Sequence, residues 1–217
     1  RMQATLRPVR VGVYGAGNWA RKTHLPNLSR LPGVELAAVC DVDAGRAAAT
    51  AEQFGIPHTY TEGHRMLADE RLDILFSVVP AYARTDVEAV AAARGIHLFS
   101  EKPQALDMAT ARRIDAAVRQ GGVLSTVCFR ERYRPLFQQA RRLLAGKQIV
   151  HVRFHSPRGL PALLAGIPPD QRRSWHFDMA RAGGPAFDWG VHAVDYTRFL
   201  TGLDFSAVQA FYHHPPA

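Results

Sequence analysis

Cysteine is nearly absent: only Cys40 and Cys128 occur among 217 residues. That scarcity excludes a disulfide framework. Each cysteine ends an apolar, strand-like run, so both read as buried small residues, not as a disulfide or metal site. No run of about eighteen apolar residues exists, which removes the signal of a membrane-spanning helix. No secretory pattern opens the chain. Residue 1 is Arg, consistent with a natural start upstream. A reducing cytoplasm is the simplest compartment. Internal repeats and low-complexity segments are also missing. Acidic residues are the minority, 19 against 27 basic, giving a net charge of +8. The arginines are scattered along helical segments, with no lysine-rich tail. The nearest approach to a cluster is Arg130, Arg132 and Arg134, with Arg141 and Arg142 beyond. This reads as a solvated surface and not as a nucleic-acid footprint. Attraction of an anionic cofactor or substrate is a secondary benefit.

What is present is a hydrophobic fraction of 47%, enough for a packed core. Near the start, Val9–Tyr14 forms a short β-type run that feeds Gly15-Ala16-Gly17-Asn18-Trp19-Ala20. Strand, G-x-G-x-x-A turn and helix in that order are what a dinucleotide-binding βα turn requires. Gly15 permits the tight turn, Gly17 lets the backbone approach a pyrophosphate, and Ala20 allows close helix–strand packing. Asn18 and Trp19, inside the same turn, are assigned to the cofactor with them. The helix N-terminus offers N–H groups and a positive dipole end to phosphate. A second apolar run, 34–40, ends at Asp41, about twenty residues past the glycines, where a ribose partner belongs. A carboxylate there repels a 2′-phosphate, so NAD is favoured over NADP.

Strand-like and helix-like segments then alternate. Strands are expected near 9–14, 34–40, 73–79, 96–99 and 123–127, and helices near 18–30, 44–54, 84–94 and 108–120. This βαβ rhythm predicts a doubly wound parallel sheet, a Rossmann domain spanning 1–128. Gly33, Gly55, Gly95 and Gly121-Gly122 fall where helices should end. After residue 128 the pattern changes. A helix is expected from 129 to about 145, a strand at 149–155, a Gly/Pro-rich loop at 157–173, a helix at about 187–200 and a strand at 207–212. Residues 129–217 thus read as an incomplete α+β domain with a mainly antiparallel sheet, lacking a C-terminal portion.

Chemistry-bearing residues fall at two places. Glu101-Lys102-Pro103 follows the 96–99 strand directly, at the strand end where open α/β sheets bind ligands. Asp188 and His192, four apart on a predicted helix, share one face. Asp195 adds a polar group on the next turn, and Trp175 and Asp178 lie upstream as pocket-wall candidates.

In this order, four blocks resemble the Gfo/Idh/MocA oxidoreductases, the family of glucose–fructose oxidoreductase and inositol dehydrogenase. They are Gly15-x-Gly17-x-x-Ala20, Cys40-Asp41, Glu101-Lys102-Pro103, and Trp175 through Gly183-Gly184 to Asp188-x-Gly190-x-His192. Phe129-Arg130-Glu131-Arg132-Tyr133-Arg134-Pro135 is similar to the family's F-N-x-R-F-x-P stretch. The resemblance covers about residues 8 to 212. It implies that Lys102 contacts a substrate hydroxyl and the nicotinamide ribose, and that Asp188 and His192 transfer protons. It adds Pro80 and Glu101 to the cofactor site, and Arg132 and Trp175 to the substrate site. It implies a homo-oligomer through the C-terminal sheet when that domain is complete. It also implies a cis Lys102–Pro103 bond, accessible because the next residue is proline. The chain departs from the family at Ala81 and Arg84, where relatives often carry Asn and His, at Pro185, where a third glycine is common, and at Arg130, which replaces Asn.

The activity so implied is reversible oxidation of a secondary alcohol on a sugar, cyclitol or related polyol. His192 is the candidate base, because histidine ordinarily titrates near neutrality. Asp188 orients it, and Lys102 stabilises negative charge on the alcohol oxygen. Two alternatives remain open: an NAD-binding sensor or scaffold without catalysis, and NAD-dependent glycosidic bond cleavage.

Overall fold

The computed structural model describes residues 7–155, 181 and 185–211. They fall into two compact units, one of residues up to Cys128 with part of 168–188, the other of 129–167 with 189 onward.

The first unit is built on six parallel strands: β1 (Val9–Tyr14), β2 (Val34–Cys40), β3 (His58–Tyr60), β4 (Ile74–Ser77), β5 (His97–Ser100) and β6 (Ser125–Val127). Their order across the sheet is β3-β2-β1-β4-β5-β6. The chain reverses direction of travel between β3 and β4, so a crevice opens beside the end of β1. The sheet confirms the expected doubly wound fold. The β3 strand and the helix α3 (Gly63–Asp69) that follows it were not expected. His58-Thr59-Tyr60 is a three-residue edge strand with no apolar alternation, so periodicity cannot announce it.

Helices cover both faces. After β1 a π-helical turn (Ala20–His24) runs into α1 (Leu25–Leu28); α2 (Ala44–Phe54) follows β2, α3 (Gly63–Asp69) follows β3, α4 (Val87–Ala93) follows β4 and α5 (Met108–Gly121) follows β5. Asp43 and Asp107 cap α2 and α5 by accepting the N–H of Arg46 and Thr110. Val11, Val13, Leu36 and Val39 pack with Leu25, Leu28, Ala51 and Ile56 on one face. Ala38, Cys40, Leu75 and Leu98 pack with Met66, Val87, Ala91 and Ile114 on the other. Leu36 and Val39 are three apart yet share a face. The register slips at Val11/Gly12, so β2 carries one extra residue there. Burial, with Asp41 and Glu62 close by, pushes the Cys40 thiol up to about 12, so it is an inert packing group.

A buried polar lock joins the ends of β4 and β5. Arg84 and Glu88 form an ion pair with side chains 1% and 2% exposed. Arg84 also donates to Ser77 Oγ at 3.2 Å and to the carbonyl of Glu101. Gln104 donates to both Glu88 and Ser100. The expected helix at 84–94 therefore starts later, at Val87. The residues before it form a 3₁₀ turn (Ala81–Ala83) and then extend at Arg84, which turns the guanidinium inward.

In the second unit a 3₁₀ turn (Arg130–Tyr133) precedes α6 (Pro135–Leu144). The continuous helix expected from 129 is interrupted because proline drives Arg134 out of the helical region and itself takes the first helical position. The long helix α7 spans Pro185–Thr201. Phe137 of α6 and Phe154 both meet the ring of Tyr196. No strand forms at 149–155 or 207–211 among the described residues, and residue 212 lies outside them. The antiparallel sheet expected there is absent from what is described. Alternating polarity makes a strand only when a partner supplies hydrogen bonds and a layer covers the apolar face. Here Val150, Val152, Phe154, Val208 and Phe211 are exposed.

Asp73 accepts both terminal nitrogens of Arg7 at 2.7 Å and the Arg10 N–H at 2.8 Å. Those bonds hold its carboxyl at about 2, below the ordinary 3.8. A depressed carboxylate contributes stability that is complete above its unfolded pKa and is lost as pH falls through the folded one. The melting-temperature gap between the wild type and Asp73→Asn should hold above about pH 5 and close by about pH 2, as followed by thermal melts. Arg84→Met leaves Glu88 buried without its cation and should cost about 3–5 kcal/mol in urea unfolding. The double change Arg84→Met with Glu88→Leu should recover most of that loss. A double variant as unstable as the single one would show that the charges themselves are needed.

Candidate active site at the carboxyl edge of the sheet

Parallel strands all end on one edge, and the chemistry-bearing residues of the first unit gather there. The glycine turn follows β1, Asp41 follows β2, Pro80 lies beyond β4, Glu101 and Lys102 leave β5, and Cys128 follows β6.

Gly15 has φ +103°, and a Cβ on it would lie 2.9 Å from both the Val78 carbonyl carbon and Val79 Cγ1. Backbone conformation and close packing both demand glycine. Gly17 is different. A Cβ there would meet no heavy atom within 4 Å, so the residue faces open space. The cradle is therefore clear above the turn. The helix that follows has opening N–H groups without partners inside the helix, which suits a pyrophosphate. The residues present fit a dinucleotide.

Asp41 is 8% exposed and is used heavily by the chain itself. Its Oδ2 accepts the Ala16 N–H at 2.8 Å, and its Oδ1 accepts the Asp43 N–H at 3.0 Å and Arg46 Nη1 at 2.9 Å. Arg46 also reaches Asp43 at 3.1 Å. A carboxylate offers about four acceptor positions, so one remains for a ribose hydroxyl. The sequence reading missed the first duty of Asp41, which is to hold the glycine turn. It also missed Arg46, although a cation five residues past the acid was visible.

Trp19 Nε1 donates to Glu101 Oε1 at 2.6 Å, and His24 Nε2 pairs with the same oxygen at 2.7 Å. Burial works against ionisation of Glu101, but the bonds from His24 and Trp19 outweigh it and keep the carboxyl below its usual range. Cys128 also hydrogen-bonds Glu101. It is half-buried, unlike Cys40, and so corrects the reading of both cysteines as buried small residues. The peptide between Lys102 and Pro103 is cis.

Lys102 Nζ donates to Asp188 Oδ1 at 2.7 Å and to the Asp188 carbonyl at 3.1 Å. Two motifs 86 residues apart thus meet inside the first unit. His192 lies one turn beyond Asp188 on α7, where its ring contacts those of Phe129, Trp189 and Tyr196. Within the second unit Arg132 grips Asp195 with two nitrogens, and its guanidinium lies over Phe129 and Phe199. The sequence reading assigned Arg132 to substrate; the contact it makes here ties the 3₁₀ turn to α7. Trp175, Asp178 and Gly183-Gly184 lie outside the described residues. Among the described residues, no helix is long and apolar enough to cross a membrane.

Known proteins with similar sequences and structures bear on this arrangement. Scyllo-inositol 2-dehydrogenase (NAD(+)) of Bacillus subtilis is 28% identical over 92% of this chain and 56% of its own length. The crystal structure of myo-inositol 2-dehydrogenase from Lactobacillus plantarum superposes with a TM-score of 0.74 at 23% identity. It covers 90% of this chain and 57% of that one. A point mutant of a 3-ketoreductase of Actinomadura kijaniata, crystallised with TDP-benzene and NADP, gives a TM-score of 0.71 at 25% identity over 89% of this chain and 57% of that one. The chain spans little more than half the length of the curated relatives it matches. Residues 9–129 match the oxidoreductase family with an NAD-binding Rossmann fold, and residues 137–217 match the Gfo/Idh/MocA C-terminal domain. With the glycine turn, the acid after β2 and the Lys102–Asp188 contact in place, the chain belongs to the Gfo/Idh/MocA oxidoreductase family.

Proposed function

We propose that the protein is an NAD-dependent dehydrogenase acting on a secondary alcohol of a sugar, cyclitol or related polyol. The observation that carries this reading is the 2.7 Å contact between Lys102 Nζ and Asp188 Oδ1. It sets a cation at the strand end where the reactive part of a dinucleotide belongs. The nicotinamide, when bound, supplies the hydride acceptor. The chain's own residues handle charge and protons. The Lys102 ammonium stabilises the negative charge that grows on the alcohol oxygen as its proton leaves. Asp188 holds that ammonium in place through its carboxylate and its carbonyl. His192 is assigned the proton by residue type. The polyol class is supported by the dehydrogenase relatives, which include inositol 2-dehydrogenases and a D-glucoside 3-dehydrogenase.

The preference for NAD rests on charge. Asp41, Asp43 and Arg46 form one cluster at the end of β2, two carboxylates against one guanidinium. The arginine is already neutralised and the remaining charge is negative, which opposes a 2′-phosphate. Isothermal titration should therefore give tighter binding of NAD than of NADP. Asp43→Asn should narrow the difference by up to about fivefold, the worth of ~1 kcal/mol for a partly exposed charge pair. Tighter binding of NADP by the wild type would reverse the assignment.

Two substitutions separate cofactor binding from chemistry. Gly17→Val should leave the melting temperature unchanged, because its side chain enters open space, yet abolish NAD binding in the same titration. Lys102→Ala should bind NAD like the wild type but lose turnover on a polyol panel by roughly a hundredfold or more, on the order of 3 kcal/mol. Normal turnover by that variant would remove Lys102 from the mechanism.

A further inference from the structure

We propose that His24, Glu101 and Cys128 form a binding site for a borderline divalent transition cation of the Zn²⁺ class. The site stands on these three side chains and does not rest on the dehydrogenase reading. One ligand atom of each, Nε2, a carboxylate oxygen and Sγ, lies within 4.8 Å of the other two. They come from three separate elements: the π-helical turn after the glycines, the end of β5 and the residue after β6. The backbone N–H of Cys128 bonds the Ser100 carbonyl at 2.8 Å, and the Glu101 N–H bonds the Ser77 carbonyl at 2.9 Å, so two of the three are anchored to the sheet.

The chemistry of the donor set matches the ion. Zn–N and Zn–O bonds near 2.0–2.1 Å and Zn–S bonds near 2.3 Å put tetrahedral ligands roughly 3.3–3.6 Å apart. His24 Nε2 and Glu101 Oε1 are 2.7 Å apart, a spacing set by the proton between them. Replacing that proton by a cation opens the pair by less than about 1 Å at those bond lengths. A thiolate and a carboxylate together neutralise a divalent charge, and the neutral imidazole adds none. Binding releases the thiol proton to solvent. Mixed S, N and O donors select Zn²⁺ over Mg²⁺ or Ca²⁺, which prefer oxygen alone. Three protein ligands leave the fourth position to water.

The surroundings support the ligands as metal sites require. The His24 ring, 7% exposed, is held edge-on by Phe76 at 6.1 Å and Phe99 at 5.4 Å. Glu101 is oriented by the Trp19 indole N–H at 2.6 Å and the Lys102 N–H at 3.2 Å. Burial favours occupancy too, because a low-polarity environment strengthens the attraction between cation and anionic ligands.

The test is titration of the metal-stripped full chain with Zn²⁺ alone by calorimetry, and with Co²⁺ by absorption spectroscopy. The expected result is one equivalent bound, with a thiolate-to-cobalt charge-transfer band in the near ultraviolet. Cys128→Ala should remove that band and weaken binding by at least tenfold. His24→Gln should weaken it similarly, while Cys40→Ala should leave both unchanged. Circular dichroism of each variant establishes that it is folded. Cys128→Ser supplies a smaller perturbation that should also lose the sulfur band. Absence of binding, or Zn²⁺ binding that survives Cys128→Ala undiminished, overturns the proposal. The readout is the metal itself, so loss of polyol turnover in the Lys102 variant has no bearing on it.

Discussion

Parallel pairing of β1 with β2 on one side and with β4 on the other is the constraint from which the first unit follows. Parallel neighbours cannot be joined by tight turns, so each needs a crossover, and the crossovers become the helices that cover both faces. The same pairing sends every strand to the same edge. Residues distant in the chain, from Gly15 to Cys128, therefore reach one rim without any of them encoding that meeting.

At that rim the chain uses polar groups to hold itself together. Asp41 ties the Ala16 N–H to the end of β2, so the acid after the second strand also shapes the glycine turn. Arg84 reaches the carbonyl of Glu101 and the side chain of Ser77. This fastens the ends of two neighbouring strands immediately before Lys102. Such buried ionic contacts contribute little net stability compared with apolar packing. Their effect here is to restrict the positions open to the backbone that carries the lysine.

Much of this was legible in the residues. The strand–glycine–helix order, the acid after β2 and the lysine–proline step after β5 are local patterns with fixed spacing, and each lies where the fold needs it. Other features were not. Three-residue β3 has too little periodicity to register. The end strands expected at 149–155 and 207–212 alternate in polarity, but the described part has no partner to pair with them. Cys128 and Cys40 look alike as apolar strand ends. Only the packing shows one sealed in the core and the other beside Glu101 and His24. Arg84 reads as a surface helix residue until the turn before α4 points it inward.

By itself the sequence determined the parallel architecture, the strand–glycine–helix turn and the family to which the chain belongs. These depend on short-range pattern and backbone stereochemistry. Only the tertiary structure decided that Lys102 meets Asp188 across 86 residues, that Asp41 is already bonded by Ala16 and Arg46, and that a histidine, a glutamate and a cysteine converge. Those are distances set by packing between elements, and no spacing along the chain encodes them.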